Sequence, residues 1–245
     1  MSALEAPLFG DQIAASRLSE RFYALGAEKL LRLAIEDLFP GRVALVSSFG
    51  ADSAVLLHMV AQIDKATPVL FLDTLHLFPE TLAYRDALVA RLGLTQVITL
   101  KPDPKELAKQ DPENFLWSSD PDRCCALRKA APLAKALANY DAWITGRKRF
   151  QAATRAALPL FESDGPRLKL NPLATWTQAD MTAYFAAHAL PPHPLVAKNF
   201  LSIGCLPCTS PVRPGEDVRA GRWRGRGKTE CGVHLPSMLE AGADI

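Results

Sequence analysis

The sequence lacks any apolar run that could cross a membrane, because no uninterrupted stretch approaches the ~18 residues that a bilayer-spanning helix requires. The residues after Met1, Ser-Ala-Leu-Glu-Ala-Pro-Leu, contain neither the basic nor the apolar region of a secretory signal. These absences predict no membrane partner and a cytoplasmic location. The odd number of cysteines, five, also suits a reducing compartment, since a lone thiol would be a liability in a secreted protein.

No internal repeat or low-complexity tract is visible in the 245 residues, which excludes a repeat architecture. With 49% hydrophobic and 22% charged residues, the chain can bury a core as one large domain or as one domain plus an appendage. A net charge of +2 says little about partners on average. We predict an N-terminal helical segment at 1–40, a nucleotide-binding α/β domain at 41–195 and a C-terminal segment at 196–245.

The sequence does contain an alternation of strand and helix patterns. Short apolar runs predict strands at 43–46, 69–72, 96–100 and 142–145. Helical periodicity predicts a helix or helix pair at 17–39 and helices at 53–64, 80–91, 123–139 and 177–188. The alternation predicts an α/β fold with a parallel sheet of about five strands and helices on both faces. Ligands of such sheets bind beyond the carboxyl ends of the strands, where loops 47–53, 73–81 and 146–155 should meet. We expect the C-terminal segment to fold over this edge as a lid.

The first of these loops has the composition of a phosphate-binding loop. Ser47-Ser-Phe-Gly-Ala-Asp-Ser53 lies between a predicted strand and a helix N-terminus, where backbone N–H groups and the helix dipole favour an anion. A Walker A loop is excluded, since no Gly-Lys-Ser/Thr follows at the required spacing. A Ser-capped helix after a tight turn is the alternative interpretation. Candidate ligands of a phosphate here are Ser47, Ser48, Gly50 and Ser53.

The cysteines divide into an adjacent pair, a Cys-x-x-Cys and a single residue near the C-terminus: Cys124, Cys125, Cys205, Cys208 and Cys231. The two pairs could supply four ligands to one metal centre. Adjacent side chains on a helix diverge by about 100°, so the first pair reaches two corners of a [4Fe–4S] cluster more easily than one zinc ion. Zinc, unligated thiols and a vicinal disulfide remain the alternatives. The single cysteine is then a separate reactive thiol.

A basic segment precedes the single cysteine. Its positive residues outnumber the acidic ones and comprise Arg213, Arg219, Arg222, Arg224, Arg226 and Lys228. Such a run is typical of a solvated tail or of a nucleic-acid-binding arm. Beside a reactive thiol it could equally hold an anionic substrate.

Several motifs occur in an order that resembles one family. The first loop is similar to the PP-loop of adenine-nucleotide α-hydrolase-like proteins, with Phe49 in place of a glycine, as in the Ser-Phe-Gly form of sulfonucleotide reductases. The segments Leu72-Asp-Thr (with Glu80-Thr81), Arg123-Cys-Cys-Ala-Leu-Arg-Lys129, Cys205-Leu-Pro-Cys208 and Glu230-Cys-Gly-Val-His234 follow. From residue 43 to 235 the chain resembles the [4Fe–4S]-containing branch of the sulfonucleotide (PAPS/APS) reductases, the assimilatory adenosine 5′-phosphosulfate (APS) reductases.

This resemblance implies a function and a set of site residues. Cys231 would attack the sulfonate sulfur of APS, expel AMP and form an S-sulfocysteine, from which thioredoxin or glutaredoxin would release sulfite. His234 and the upstream arginines would favour the thiolate, and Lys129 would lie between cluster and substrate. The implied cluster ligands are Cys124, Cys125, Cys205 and Cys208. Further substrate contacts are implied for Leu72, Thr74, Gly146, Arg155, Arg219 and Arg222.

Other functions stay open at this point. 3′-Phosphoadenosine 5′-phosphosulfate (PAPS), or both nucleotides, could be the substrate, although the two cysteine pairs favour APS. A PP-loop tRNA-thiolating enzyme and a non-enzymatic zinc or iron–sulfur nucleic-acid-binding module would each explain the basic segment. Because the Glu-Cys-Gly-Val-His motif argues against both, we predict no nucleic-acid partner. The oligomeric state is open, and a homo-oligomer is one of the states that the sequence allows.

Overall fold

A computed structural model of the chain describes residues 11–234. Parts of the predicted segments 1–40 and 196–245 therefore lie outside the described residues, as does residue 235 at the end of the resemblance. Six strands form one sheet in the order β3-β2-β1-β4-β6-β5. Their bounds are β1 Val43–Ser47, β2 Val69–Leu72, β3 Val97–Leu100, β4 Ala142–Ile144, β5 Phe161–Asp164 and β6 Arg167–Leu170.

Every neighbouring pair of strands is parallel except β5 with β6. The register places Leu45 of β1 opposite Val69 of β2 and Ile144 of β4. The predicted α/β class and the four predicted strands are confirmed, whereas the hairpin of β5 and β6 adds an antiparallel edge that we did not predict. Gly165 turns this hairpin at a φ of +60°, a conformation that glycine adopts without strain.

The helices are α1 Gln12–Arg21, α2 Ala27–Arg32, α3 Ser53–Ile63, α4 Pro79–Leu92, α5 Pro104–Gln110, α6 Leu116–Ser119, α7 Pro121–Cys125, α8 Ala131–Leu137 and α9 Gln178–Ala187. The helix or helix pair predicted at 17–39 corresponds to the end of α1 and to α2, and its last part, Leu33–Leu38, is a π-helix that we did not predict. A second π-helical segment, Ala126–Ala130, joins α7 to α8 within the predicted helix at 123–139. Pro79 begins α4, and Gly93 ends it with a φ of +67°.

Helices cover both faces of the sheet, as predicted. On one face the apolar side of α3 packs with β1 and β2 in the larger core cluster. On the other face Leu133 and Leu137 of α8 pack against Trp143 of β4. Val233, close to the end of the described chain, belongs to this second cluster, so the C-terminal segment is anchored on the core.

Residues 196–234 run along the carboxyl edge of the sheet. Leu77, after β2, forms an isolated antiparallel bridge with Cys205, and the N–H of Leu206 donates to the carbonyl of His76 over 2.7 Å. This path brings the Cys-x-x-Cys next to the loop that follows β2. Within residues 11–234, no helix has both the length and the apolar character that a membrane crossing needs.

Candidate active site

A cavity of about 1010 Å³ opens at the carboxyl ends of β1, β2 and β4. The three loops that follow these strands border it, together with residues of the C-terminal segment. The predicted catalytic and substrate-binding residues all lie around this one space: Ser47, Ser48, Gly50, Ser53, Leu72, Thr74, Lys129, Gly146, Arg155, Arg219, Arg222, Cys231 and His234. Their individual roles remain predictions.

The loop between β1 and α3 keeps a glycine-like backbone at Phe49. This residue has a φ of +49°, in the left-handed region that a glycine would occupy easily. Its ring is fully buried and lies edge-on to Phe71 at 5.3 Å between centroids, so burial offsets the strained backbone. The Phe-for-Gly difference thus leaves the loop conformation intact. The Oγ of Ser47 accepts a hydrogen bond from the Phe49 N–H at 3.2 Å.

The first turn of α3 borders the cavity, and among the described residues no side chain caps it by a hydrogen bond. The N-cap residue, Asp52, instead pairs with Lys148 at 3.0 Å and accepts from Gln151 at 3.2 Å. An uncapped N-terminus leaves backbone donors for an anion, which favours the phosphate-loop interpretation over the Ser-capped helix. The contact of Lys148 with Asp52 was not predicted, although Lys148 lies in the loop 146–155 that we expected at the ligand-binding edge.

Cys231 faces a positive environment. Its Sγ lies 3.7 Å from the Nζ of Lys129. A hydrogen bond from the Cys125 thiol, the charge of Lys129 and the nearby Arg222 hold the pKa of Cys231 well below its usual value, against the effect of burial. Burial acts to lower the pKa of Lys129. Negative charge on the sulfur atoms of Cys205 and Cys231 raises this pKa, which keeps the ammonium protonated.

His234 does not supply positive charge to the thiol. Burial, together with the nearby cations Arg147 and Lys169, lowers the pKa of His234 well below its ordinary value, so the imidazole is neutral. The ring stacks on Trp143, with 6.2 Å between centroids and 3° between planes. Its buried Nδ1 has no partner among the described residues. Lys129 and Arg222 supply the positive charge beside the thiol, and the role of His234 in favouring the thiolate stays a prediction.

Two predicted substrate-binding arginines converge on Glu230, the residue before Cys231. Arg155 donates to both carboxylate oxygens, from Nε at 2.8 Å and from Nη2 at 2.7 Å. Arg219 lies 3.5 Å from the same carboxylate. We named Glu230 only as part of a motif. Its position as an acidic residue after a segment rich in arginine was the signal that could have identified it as a site residue.

Arg222 reaches the cavity past a glycine. Its guanidinium lies over the ring of Trp223 at 4.3 Å, and a Cβ at Gly204 would come within 2.4 Å of it. The buried Nε of Arg222 lacks a hydrogen-bond partner in the described part of the chain. This arrangement leaves a buried donor beside the cavity.

The other basic side chains of the C-terminal segment mostly bind the protein itself. Arg224 pairs with Glu216, Arg226 donates to the carbonyl of Trp117, and Lys228 pairs with Asp122. In the described part of the segment, these three side chains therefore already have partners within the protein.

The two cysteine pairs surround a second, smaller cavity. Cys124, Cys125, Cys205 and Cys208 all border it, with Thr74, His76, Arg128 and Lys129. The Oγ1 of Thr74 lies 3.2 Å from the Sγ of Cys205. Within the described ranges, no three His, Cys, Asp or Glu side chains converge as they would on a single metal ion.

Two buried donors beside this cavity, His76 Nε2 and Arg128 Nε, lack partners among the described residues. Four thiols around one space and two unpaired donors fit a group that is larger than one ion and carries acceptor atoms. The donor set therefore suits an iron–sulfur cluster.

Comparisons with known proteins agree with this site. Residues 42–211 match the model of the phosphoadenosine phosphosulfate reductase domain. The chain is 53% identical over 239 residues to the adenosine 5′-phosphosulfate reductase of Chelativorans sp. strain BNC1, which covers 97% of each chain. It is 57% identical over 210 residues to the enzyme of that name from Mesorhizobium japonicum, covering 86% of this chain and 83% of the relative. The crystal structure of phosphoadenylyl-sulfate reductase from Candida auris in a phosphate complex superposes with a TM-score of 0.68 at 30% identity, covering 82% of this chain and 98% of that one.

Proposed function

The chain belongs to the phosphoadenosine phosphosulfate reductase family, and from this premise we propose that it reduces APS to sulfite and AMP through a covalent intermediate on Cys231. The reaction serves sulfate assimilation. One observation carries the proposal: the thiol of Cys231 lies 3.7 Å from the ammonium of Lys129 at the edge of a nucleotide-sized cavity. The names of the two relatives support APS as the substrate.

The cavity offers a separate place for each part of APS. The uncapped N-terminus of α3 and the loop around Ser48 suit the phosphate. The apolar wall near Met181 and Phe185 suits the adenine, which prefers apolar surroundings. Gly146 borders the cavity as well, and a Cβ there would meet only Leu56 at 3.7 Å among the described residues, so any need for glycine here would come from the nucleotide and not from protein packing.

In the first step the Cys231 thiolate attacks the sulfonate sulfur. A sulfur–sulfur bond forms, the bond from sulfur to the bridging phosphate oxygen breaks, and AMP leaves with that electron pair. Lys129 and Arg222 lie beside the thiol and would offset the negative charge that builds up as two anions meet. The positive charges of Lys129 and Arg222, which do not depend on the Cys125 thiol, favour the ionised form of this nucleophile.

In the second step a dithiol donor such as thioredoxin reduces the intermediate. One donor thiolate attacks the Sγ of Cys231 and releases sulfite, and its second thiol resolves the mixed disulfide and restores Cys231. Both electrons come from the donor dithiol. Because the chemistry needs reduced thiols, it favours a reducing compartment such as the cytoplasm.

We propose that Cys124, Cys125, Cys205 and Cys208 hold a [4Fe–4S] cluster. When bound, the cluster would support the Cys-x-x-Cys loop and add an electrostatic influence next to the substrate, without a change of valence. Lys129 borders both cavities and would link the two sites. The position of all four cysteines around one small cavity supports this proposal.

Intact-mass analysis tests the proposal directly. The anaerobically purified protein is mixed with APS without a thiol donor, and we expect a sulfite-sized adduct on the tryptic peptide that contains Cys231. Parallel samples with PAPS distinguish the two nucleotides, since the Candida auris relative is named for PAPS. An adduct from PAPS alone would identify PAPS as the substrate. The absence of an adduct from either nucleotide would refute the covalent route.

A further inference from the structure

The carboxylate of Glu230 is held by Thr154, Arg155 and Arg219, of which the two arginines border the large cavity. Its Oε1 accepts from the Nε of Arg155 at 2.8 Å and from the Oγ1 of Thr154 at 3.1 Å. Its Oε2 accepts from the Nη2 of Arg155 at 2.7 Å and lies 3.5 Å from the Nη2 of Arg219. One carboxylate thus accepts hydrogen bonds from Arg155 and Thr154 and forms an ion pair with Arg219, whose Nη2 donates its hydrogen bond to the carbonyl of Thr229 at 2.9 Å. We call Thr154, Arg155 and Arg219 the oxyanion cradle.

The cradle offers what a sulfonate or phosphate would bind. Its two arginines border the large cavity, and their side chains are only 8% and 14% exposed. Carboxylates, phosphates and sulfonates all present a pair of oxygens that matches the guanidinium fork. Burial acts to raise the pKa of Glu230, but Arg155 and Arg219 lower it below its usual value, so the group in the cradle is an anion. A substrate oxyanion could enter the cradle only if this carboxylate left.

The same residue is directly linked to the nucleophile. Consecutive Cα atoms are about 3.8 Å apart, so the contacts that hold Glu230 in place also limit how far the backbone of Cys231 can move. In the present arrangement the Cys231 side chain packs beside Lys129, Cys125 and the buried Val233. A donor protein needs access to this thiol, and the closed arrangement restricts that access.

We infer that Glu230 is a positioning residue, whose carboxylate holds the Cys231 segment in the cavity until an oxyanion of the substrate replaces it at Arg155 and Arg219. The identity of that substrate rests on the proposed function. Binding of the nucleotide and release of the segment are then one exchange. The incoming anion takes the two arginines, and the released segment delivers Cys231 to the sulfonate and afterwards to the donor.

The exchange can be tested without turnover, with inorganic sulfate as the probe. The full-length protein with its cluster is treated anaerobically with N-ethylmaleimide, and the alkylation rate of Cys231 is followed by peptide mass with sodium sulfate or with sodium chloride at equal ionic strength. We expect sulfate to accelerate alkylation severalfold. In Glu230→Gln we expect alkylation to be about tenfold faster without sulfate, because hydrogen bonds to a charged group contribute by that order. Sulfate should then add no further acceleration.

Glu216→Gln is the matched control. Glu216 pairs with both Nη atoms of Arg224, at 2.9 and 2.7 Å, in the same segment, and neither residue is among the described residues that border the cavity. This variant should keep the response of the unmodified protein. By equilibrium dialysis with labelled sulfate, Glu230→Gln should also bind sulfate more tightly than Glu216→Gln does.

Two results would overturn the inference: sulfate that leaves unchanged or slows the alkylation of Cys231 in the unmodified protein, or sulfate binding to Glu230→Gln that is no tighter than to the control. The first comparison needs no variant, so a folding defect in Glu230→Gln cannot obscure it. A failure of the proposed function has a different signature, namely no adduct on Cys231 from either nucleotide.

Discussion

The Nζ of Lys129 lies 3.7 Å from the Sγ of Cys231, although 102 residues separate them in the sequence. The π-helical segment Ala126–Ala130 carries the lysine, and the end of the described chain carries the thiol. Lys129 also borders the small cavity of the four cysteines. One ammonium group therefore belongs to both sites.

This contact predicts a selective loss in Lys129→Gln. Without the ammonium, the meeting of a thiolate and a sulfonate loses its nearest positive charge, and removal of one such group typically costs on the order of 10²-fold in rate. We expect single-turnover formation of the Cys231 adduct from APS to slow by about that factor. Lys135→Gln, which changes an exposed lysine on α8, is the control and should react at the normal rate. Equal rates in both variants would contradict the role of Lys129.

The separation of the two cysteine sites predicts two different phenotypes. Cys231→Ser should abolish sulfite release and keep the iron content, because Cys231 borders the large cavity and is not one of the four cysteines around the small one. Cys205→Ser should lose iron and activity together. Iron analysis, visible absorption and sulfite assays of anaerobic preparations measure these outcomes. Sulfite release by Cys231→Ser would refute the covalent route.

Secondary structure was predicted best where the hydrophobic pattern was local and repeated. The strands β1 to β4 read as short apolar runs because both of their faces are covered by helices. The hairpin of β5 and β6 escaped prediction because its strands carry charged residues inward. Lys169, for example, lies over the ring of Trp143 at 4.7 Å, and Asp164 accepts a hydrogen bond from the indole of Trp143. Such compensation between distant residues cannot be read from composition.

In the candidate site, too, local motifs were predictable and contacts between distant residues were not. The predicted site residues border one cavity, since loops after parallel strands meet at one edge of the sheet. Partnerships inside the site were not predictable. Asp52 with Lys148 and Glu230 with Arg155 join residues that are 96 and 75 positions apart. The neutral state of His234 follows from burial among cations, which becomes visible only in three dimensions.

The positive φ of Phe49 predicts an unusual order of stabilities. Both Phe49→Ala and Phe49→Gly lose the buried ring, which costs about 3 kcal/mol or more of unfolding free energy. Alanine keeps the strained left-handed backbone, whereas glycine adopts it freely, so Phe49→Gly should be the more stable of the two by about 1 kcal/mol. In ordinary positions glycine is the less stable substitution. Urea unfolding of both variants decides the order, and a more stable alanine variant would show that the loop is not strained.

His193 predicts a loss of stability in mild acid. Its Nδ1 accepts from the N–H of Leu195 at 3.1 Å and its Nε2 lies 3.1 Å from the Oγ1 of Thr81, which is an arrangement of the neutral ring. Burial lowers the pKa of His193 from 6.5 to about 4. In the unfolded chain His193 therefore binds a proton near pH 6.5, whereas in the folded chain it binds a proton only near pH 4. Stability from this residue is complete above pH 6.5 and is lost as the pH falls toward 4.

Urea unfolding at pH 7 and pH 4.5 measures this loss by comparison with His193→Gln. The glutamine variant should be less stable at pH 7, because it loses the packing of the ring against Tyr84. Its stability should then fall less between the two pH values, by about 2 kcal/mol, since glutamine does not titrate. The carboxylates titrate in both proteins, so the difference between the two losses of stability isolates the contribution of His193. An equal loss of stability in the two proteins would mean that the imidazole is protonated in the folded state as readily as in the unfolded chain.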